Sequence, residues 1–154
     1  MLSFESAVNA CPLLVGHCQR GLGALSQLHR QKIKVNTKTN ITGSINVDKI
    51  LEAKYPNASR WDYGIGFRER LSSANSNDQV CWVEIHPAES GKNIKEVLAK
   101  KDFLCSWLKK YAPELASLQK EFVWIATGNV GIPKHHRREL AMKNIKLQGQ
   151  DHQL

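Results

Sequence analysis

Two short stretches of the sequence carry ionisable side chains among apolar residues and glycines. Asp62 lies in the stretch 60–67, and Glu84 and His86 lie in the stretch 79–86. Carboxylates held close together on a rigid scaffold bind a hard cation such as Mg²⁺ or Mn²⁺ through oxygen, and they leave coordination positions for water and a phosphate oxygen. These residue types therefore predict metal-dependent chemistry on a phosphodiester.

The elements that must position these side chains are two strands. Both stretches have the composition of strands, and residues 72–78 between them are rich in serine and asparagine, which predicts an antiparallel hairpin. Side chains alternate along a strand, so Glu84 and His86 share one face of it. With a turn centred near Ala74, Asp62 is expected to lie opposite His86 on that same face.

The rest of the chain is predicted to form helices and further strands around this hairpin. Apolar residues at steps of three and four predict amphipathic helices over residues 12–31 and 90–111. The apolar run 122–126 predicts a buried strand, and the order of strand, helix and strand implies a right-handed crossover to a parallel neighbour. The shorter predicted elements are a strand near 41–45, a helix capped by Asn46 or Asp48, and a last helix over 137–145.

These elements define the fold class and the domain organisation. The class is α/β, with a small mixed β-sheet in which an antiparallel hairpin is joined to a parallel strand after a helical crossover, and with helices on its sides. The length of 154 residues fits one domain, which we expect to span residues 1–147. Residues 148–154 are expected to be a frayed tail.

This arrangement resembles the PD-(D/E)XK, or restriction-endonuclease-like, superfamily, whose core is a helix, a β-hairpin, a helix and a further strand. The resemblance covers residues 14–128. Asp62 matches the aspartate on the first strand of the family's hairpin. The run Glu84-Ile85-His86 matches the acid, any residue and lysine of the second strand, with histidine in the lysine position. The resemblance implies a nuclease-like protein that binds a metal ion through Asp62 and Glu84.

The histidine at position 86 is a departure from the family pattern. In the family the lysine helps to orient or deprotonate the attacking water. His86 can accept a proton near neutral pH or serve as a third metal ligand, but it does not carry a permanent positive charge. Lys92 and Lys95, at the start of the following helix, are the candidates to supply the missing ammonium group.

Basic residues outnumber acidic residues in this chain. There are 22 Lys and Arg against 14 Asp and Glu, which gives a net charge of +8. This excess favours a polyanionic partner, either nucleic acid or an acidic protein, and the alternative is a solvated basic surface that binds neither. The predicted nucleic-acid-binding residues are Arg20, Arg30, Lys32, Lys34, Lys92, Lys95, Arg137 and Arg138.

A purely structural role for the same polar residues is also open. Asp62 and His86 would then form a cross-strand hydrogen-bonded pair, and Glu84 would face solvent or a basic residue such as Arg60. The corresponding function is a catalytically inactive nuclease-fold module that binds protein, such as an immunity protein, an antitoxin or an adaptor. Nuclease folds often work as dimers, so a homodimer is a further alternative.

Two glycines, Gly64 and Gly66, follow Asp62 in the first strand of the hairpin. Glycine inside a strand marks a close approach, either by a ligand or by another part of the chain. Trp82, lying over the glycines from the neighbouring strand, would explain them equally well.

The cysteines and the hydropathy pattern bear on the cellular location. The four cysteines include no Cys-x-x-Cys pair, so we expect reduced core residues. A zinc site built from Cys11, His17 and Cys18 is disfavoured, because neighbouring residues on a helix point in different directions. No stretch has the continuous apolar length of a signal peptide or a membrane span. We therefore expect a cytoplasmic protein without a membrane contact.

Overall fold

The structure is a computed structural model that describes residues 1–154. Its helices are α1 (Phe4–Asn9), α2 (Gln27–Arg30), α3 (Val47–Glu52), α4 (Gly91–Tyr111), α5 (Pro113–Ser117) and α6 (Lys134–Met142). Its strands are β1 (Ile33–Lys34), β2 (Thr39–Asn46), β3 (Tyr63–Glu69), β4 (Gln79–Pro87), β5 (Gln119–Thr127), β6 (Ile145–Gly149) and β7 (His152–Gln153). None of the helices is both long enough and apolar enough to span a bilayer.

Five strands form one mixed sheet in the order β2-β3-β4-β5-β6. Strand β3 is antiparallel to both β2 and β4, whereas β5 is parallel to β4 and β6 is parallel to β5. Helix α4 begins after Ser90, whose side chain forms a capping box with Asn93, and it makes the crossover from β4 to β5. The predicted α/β class is confirmed, as are the hairpin and the parallel strand after a helical crossover.

The register of the hairpin differs from the prediction by two residues. Tyr63 pairs with Val83 and Phe67 pairs with Gln79, so the turn is centred at Ser73 and not at Ala74. The same register carries Asp62 opposite Glu84, where the sequence had suggested His86. The face on which these side chains lie is unchanged, because a shift of two residues preserves the alternation of a strand.

The sheet separates two buried clusters. On one face, helices α1, α4 and α5 contribute to a cluster of 26 residues that includes the fully buried Trp61, Trp82 and Trp124. On the other face, a smaller cluster of 11 residues includes Leu25, Ile33 of β1 and Leu154. Strand alternation puts Glu84 and His86 on the face of Trp82, which is the side that α4 covers.

Two predictions are wrong, namely the long helix over residues 12–31 and the frayed tail over residues 148–154. The helix expected over residues 12–31 is reduced to α2, because Gly16 and Gly21 adopt φ values of +80° and +54° that interrupt a right-handed helix. The tail expected to be frayed contains strand β7, which pairs in parallel with β1. Leu154 is buried in the smaller cluster, so apolar contact anchors the end of the chain.

Gly64 and Gly66 are required by packing within the protein. A Cβ atom on Gly64 would lie 2.6 Å from Cζ3 of Trp82, and a Cβ atom on Gly66 would lie 2.2 Å from Cγ of Phe4. The indole and the α1 phenyl ring therefore lie directly on the strand backbone. These contacts account for both glycines without a ligand.

We expect Gly66→Ala to lower the free energy of unfolding by about 2–3 kcal/mol, because the added methyl group must displace a fully buried aromatic ring. Gly149→Ala in β6 is the matched control, since nothing lies within 4 Å of a Cβ atom built there. The control should change the unfolding free energy by less than about 0.5 kcal/mol. Urea unfolding of both variants checks the difference, and equal midpoints would contradict the packing argument.

Candidate metal centre

Two hydrogen bonds that run in opposite directions join Asp62 to the end of β4. The backbone amide of Asp62 donates to Oε2 of Glu84 at 3.0 Å, and the backbone amide of Ile85 donates to Oδ2 of Asp62 at 2.9 Å. The amide of Val47, at the start of α3, donates to the Asp62 carbonyl oxygen at 2.9 Å and fixes the residue just before β3. The backbone thus holds the two carboxylates side by side on the α4 face of the sheet.

Lys100 of α4 reaches the same pair of acids. Its ammonium group donates to Oε1 of Glu84 and forms an ion pair with it. The Glu84 side chain is 0% exposed and the Lys100 side chain is 20% exposed, so this ion pair lies largely out of water. Glu84 on β4 therefore has an ammonium group beside it, and this group comes from the third turn of α4.

The electrostatics of the two acids are those of carboxylates crowded in a dry site. Burial, together with repulsion from Asp62, raises the pKa of Glu84 to about 8, although Lys100 acts in the opposite direction. Burial also raises the pKa of Asp62, while the Ile85 amide and then Lys100 reduce the shift. The protein therefore disfavours two negative charges here unless a further cation is bound.

His86 lies between two glutamates. Its Nε2 atom is 2.5 Å from Oε2 of Glu96 in α4, and its Nδ1 atom is 3.8 Å from Oε1 of Glu84. The hydrogen bond with His86 is the main cause that lowers the pKa of Glu96. His86 is thus oriented by α4, with its other ring nitrogen directed toward the buried acid.

The structural alternative drawn from the sequence is right that Glu84 pairs with a basic residue, but this residue is Lys100, and the expected Asp62–His86 pair is wrong. Glu84 does not face solvent, and Arg60 does not bind it. The Arg60 guanidinium instead donates to Oδ1 of Asp48 at 2.8 Å and to backbone carbonyls of the loop that precedes β3. Asp62 is bonded to backbone and not to His86.

The lysines suggested as substitutes for the missing ammonium group lie elsewhere. Lys92 and Lys95 are exposed on the first two turns of α4, one to two turns before Lys100. The sequence does contain a pattern that indicates Lys100 as the lysine that faces the sheet. Lys100 lies three residues after Val97 and four before Leu104, both buried, so it interrupts the apolar stripe of the helix. A lysine in that stripe needs an acidic partner on the sheet.

The predicted nucleic-acid-binding residues are spread over several surface segments. Arg137 and Arg138 are exposed on α6, whose His136 ring lies beside Gly91 at the start of α4. Arg30 ends α2, next to His29, whose Nδ1 atom is 2.8 Å from the hydroxyl group of Tyr63 at the start of β3. The remaining members are Arg20 before α2, Lys32 and Lys34 at β1, and Lys92 and Lys95 on α4; all are exposed except Lys32, which is half-buried.

The donor set of Asp62 and Glu84 fits a hard divalent cation. All their donor atoms are carboxylate oxygens, which Mg²⁺ and Mn²⁺ prefer. The Ile85 amide is the hydrogen-bond donor to the Asp62 carboxylate, so Oδ1 of Asp62 keeps its lone pairs. The raised pKa values of both acids are a further reason for the fit, because a bound cation favours the ionised form of each.

Comparison of the chain with models of protein families, with curated proteins and with solved structures finds no match.

Proposed function

We propose that this chain is a nuclease-like protein with a restriction-endonuclease-like fold, which binds nucleic acid and cleaves phosphodiester bonds with Mg²⁺ or Mn²⁺ at Asp62 and Glu84. One observation carries the proposal. The Glu84 carboxylate accepts a hydrogen bond from the Asp62 amide, the Asp62 carboxylate accepts one from the Ile85 amide, and the ammonium group of Lys100 contacts Glu84, the more buried of the two acids. An acid, an acid and an ammonium group are the side chains that such cleavage requires, whichever element supplies the lysine.

Each side chain of the site has a separate role in the proposed cleavage. A divalent cation, when bound, would supply Lewis-acid activation of water and of the phosphate. Asp62 and Glu84 supply the carboxylate oxygens that would hold this cation, and their hydrogen bonds with backbone amides keep them in position. Lys100 holds a positive charge beside Glu84, where it can orient an attacking water or stabilise the anionic phosphate. His86, oriented by Glu96, accepts or returns a proton at its Nδ1 atom.

Sheet topology supports a nucleic-acid partner at this site. Strands β4, β5 and β6 are parallel, so their carboxyl ends share one edge of the sheet, which is also the edge where the antiparallel β3 begins. Helix α4 leaves this edge with Lys92 and Lys95, and α6 follows β5 with Arg137 and Arg138. Basic side chains on these segments suit contacts to a phosphate backbone, which position the strand without reading its sequence.

The second candidate is a binding module that has lost cleavage. The observation that favours it is the ion pair itself, because Lys100 already neutralises a carboxylate that is 0% exposed. An acidic protein would then be the partner of the basic segments, and a homodimer is one assembly that such a module could form. For either candidate we propose a cytoplasmic location, since the four cysteines are all free thiols.

The deciding experiment is calorimetric titration of Mn²⁺ and Mg²⁺ into the wild type, Asp62→Asn and Asp48→Asn. Asp48 is the matched control, since it is a nearby aspartate whose partner is Arg60. We expect the wild type and Asp48→Asn to bind Mn²⁺ and to cleave labelled DNA or RNA. Asp62→Asn should lose metal binding and at least about 10²–10³-fold of the cleavage rate.

Two outcomes separate the candidates. Metal binding that survives in Asp62→Asn, or that is absent from the wild type, would overturn the metal centre and with it the nuclease. Retention of nucleic-acid binding without metal binding or cleavage would support the inactive module.

A further inference from the structure

A second cluster of ligand-type side chains lies on the opposite face of the sheet. Cys81 of β4 and Glu121 of β5 are direct neighbours in the parallel register, and His152 of β7 lies beside them. The Cys81 sulfur, a Glu121 oxygen and a His152 ring nitrogen all lie within 4.8 Å of one another. Cys81 is odd-numbered on β4 and Glu84 is even-numbered, so alternation separates this cluster from the acid pair by the thickness of the sheet.

The polarity of this trio is unusual for its surroundings. Cys81 is 0% exposed and belongs to the smaller apolar cluster of the sheet. His152 is only 5% exposed although it is the third residue from the end of the chain. Its Nε2 atom lies 3.1 Å from Oε1 of Glu121. A thiol, a carboxylate and an imidazole are thus collected at the rim of an apolar layer by three separate strands.

We propose that Cys81, Glu121 and His152 form a zinc site that fastens the end of the chain to the main sheet. Sulfur, nitrogen and oxygen donors together match Zn²⁺, and they do not match Mg²⁺ or Mn²⁺, which prefer oxygen alone. Ligand atoms around a tetrahedral zinc stand about 3.5 Å apart for bond lengths of about 2.0–2.3 Å. The pair formed by Glu121 and His152 is already near that spacing, at 3.1 Å.

Zinc binding at this site releases one proton. The Cys81 thiol gives up its proton to solvent as the zinc–sulfur bond forms, and Glu121 and His152 bind through lone pairs. Burial raises the pKa of the Cys81 thiol well above its ordinary value, and the neighbouring Glu121 carboxylate acts in the same direction. Three protein ligands leave one tetrahedral position for water.

Lys146 of β6 is the competitor of the metal. Its ammonium group lies 3.1 Å from Oε2 of Glu121, and its side chain is 54% exposed. Such a side chain can swing into solvent when a cation binds. A positive charge this close also weakens metal binding, so removal of Lys146 should strengthen it.

Cobalt titration of the metal-free full chain tests the site. A thiolate ligand gives a sulfur-to-cobalt charge-transfer band, which oxygen-only sites lack. We expect this band in the wild type, its loss in Cys81→Ser, and weakening of Co²⁺ and Zn²⁺ affinity by at least about 100-fold in His152→Ala. His152→Ala changes a residue near the chain end, so it keeps the test valid if Cys81→Ser does not fold.

The controls isolate the trio from the other thiols and from the acid pair. Cys105→Ser, which replaces a half-buried cysteine of α4, should keep the band. Lys146→Met should bind Zn²⁺ several-fold more tightly. Asp62→Asn should keep the sulfur-to-cobalt band at wild-type intensity, because oxygen-only sites do not give this band, so failure of the nuclease proposal leaves this result unchanged. No charge-transfer band in the wild type, or a band that survives in Cys81→Ser, would overturn the zinc site.

Discussion

Lys100→Met is expected to lower the rate of metal-dependent cleavage by about 10²–10³-fold, the loss that follows removal of one positioned charge from a transition state. The ammonium group contacts Glu84 directly, and it stays on one side of the acid pair because α4 is packed on the sheet. Its charge acts on the reacting phosphate or water and not on the bulk of the nucleic acid. We therefore expect kcat to fall while KM for the nucleic acid changes little.

Lys92→Met and Lys95→Met are the matched controls for this experiment. Both lysines lie on the same helix as Lys100, but both are exposed. Their removal should weaken nucleic-acid binding and reduce its dependence on salt, and should leave kcat at saturating substrate unchanged. Cleavage assays at saturating Mn²⁺ give the comparison. If Lys100→Met cleaves like the wild type, the lysine only neutralises Glu84 and the catalytic assignment is lost.

The alternation of strands made the acid pair predictable. The two ionisable residues Glu84 and His86 are two positions apart on one strand, so their shared face followed without knowledge of the register. The register itself depended on the loop, where Asp78 is buried and binds both the Arg68 guanidinium and the Phe4 amide. Such contacts join residues far apart in the chain and leave no periodic signal.

The partners of the site were less accessible to sequence reasoning. Lys100 and Glu96 contact β4 because the packing of α4 on the sheet brings them to Glu84 and His86. The stripe of apolar residues gave the buried face of that helix, but not which turn would lie over Glu84. The trio of Cys81, Glu121 and His152 combines residues whose separations match no metal-binding motif, so the strands alone bring it together.

The pH dependence of stability should reveal the buried acid directly. In the metal-free protein the pKa of Glu84 is raised from 4.5 to about 8. Between these values the folded protein holds a proton that the unfolded chain has released. Stability is therefore fully present below about pH 4.5 and falls as pH rises toward 8, by up to about 1.4 kcal/mol per pH unit. Urea unfolding in the presence of a chelator, at intervals from pH 5 to 8, measures this slope.

Glu84→Gln should remove most of that slope, because an amide does not titrate. Comparison of slopes avoids the separate cost of presenting an amide to Lys100. Glu121→Gln is the matched control: the pKa of Glu121 is lowered to about 2, mainly by His152, so its stabilisation is lost only below about pH 4.5. That variant should keep the decline between pH 5 and 8. A flat wild-type profile would mean that Glu84 is ionised and compensated by Lys100 alone. A decline that Mn²⁺ abolishes would instead support a site whose second carboxylate ionises when the metal binds.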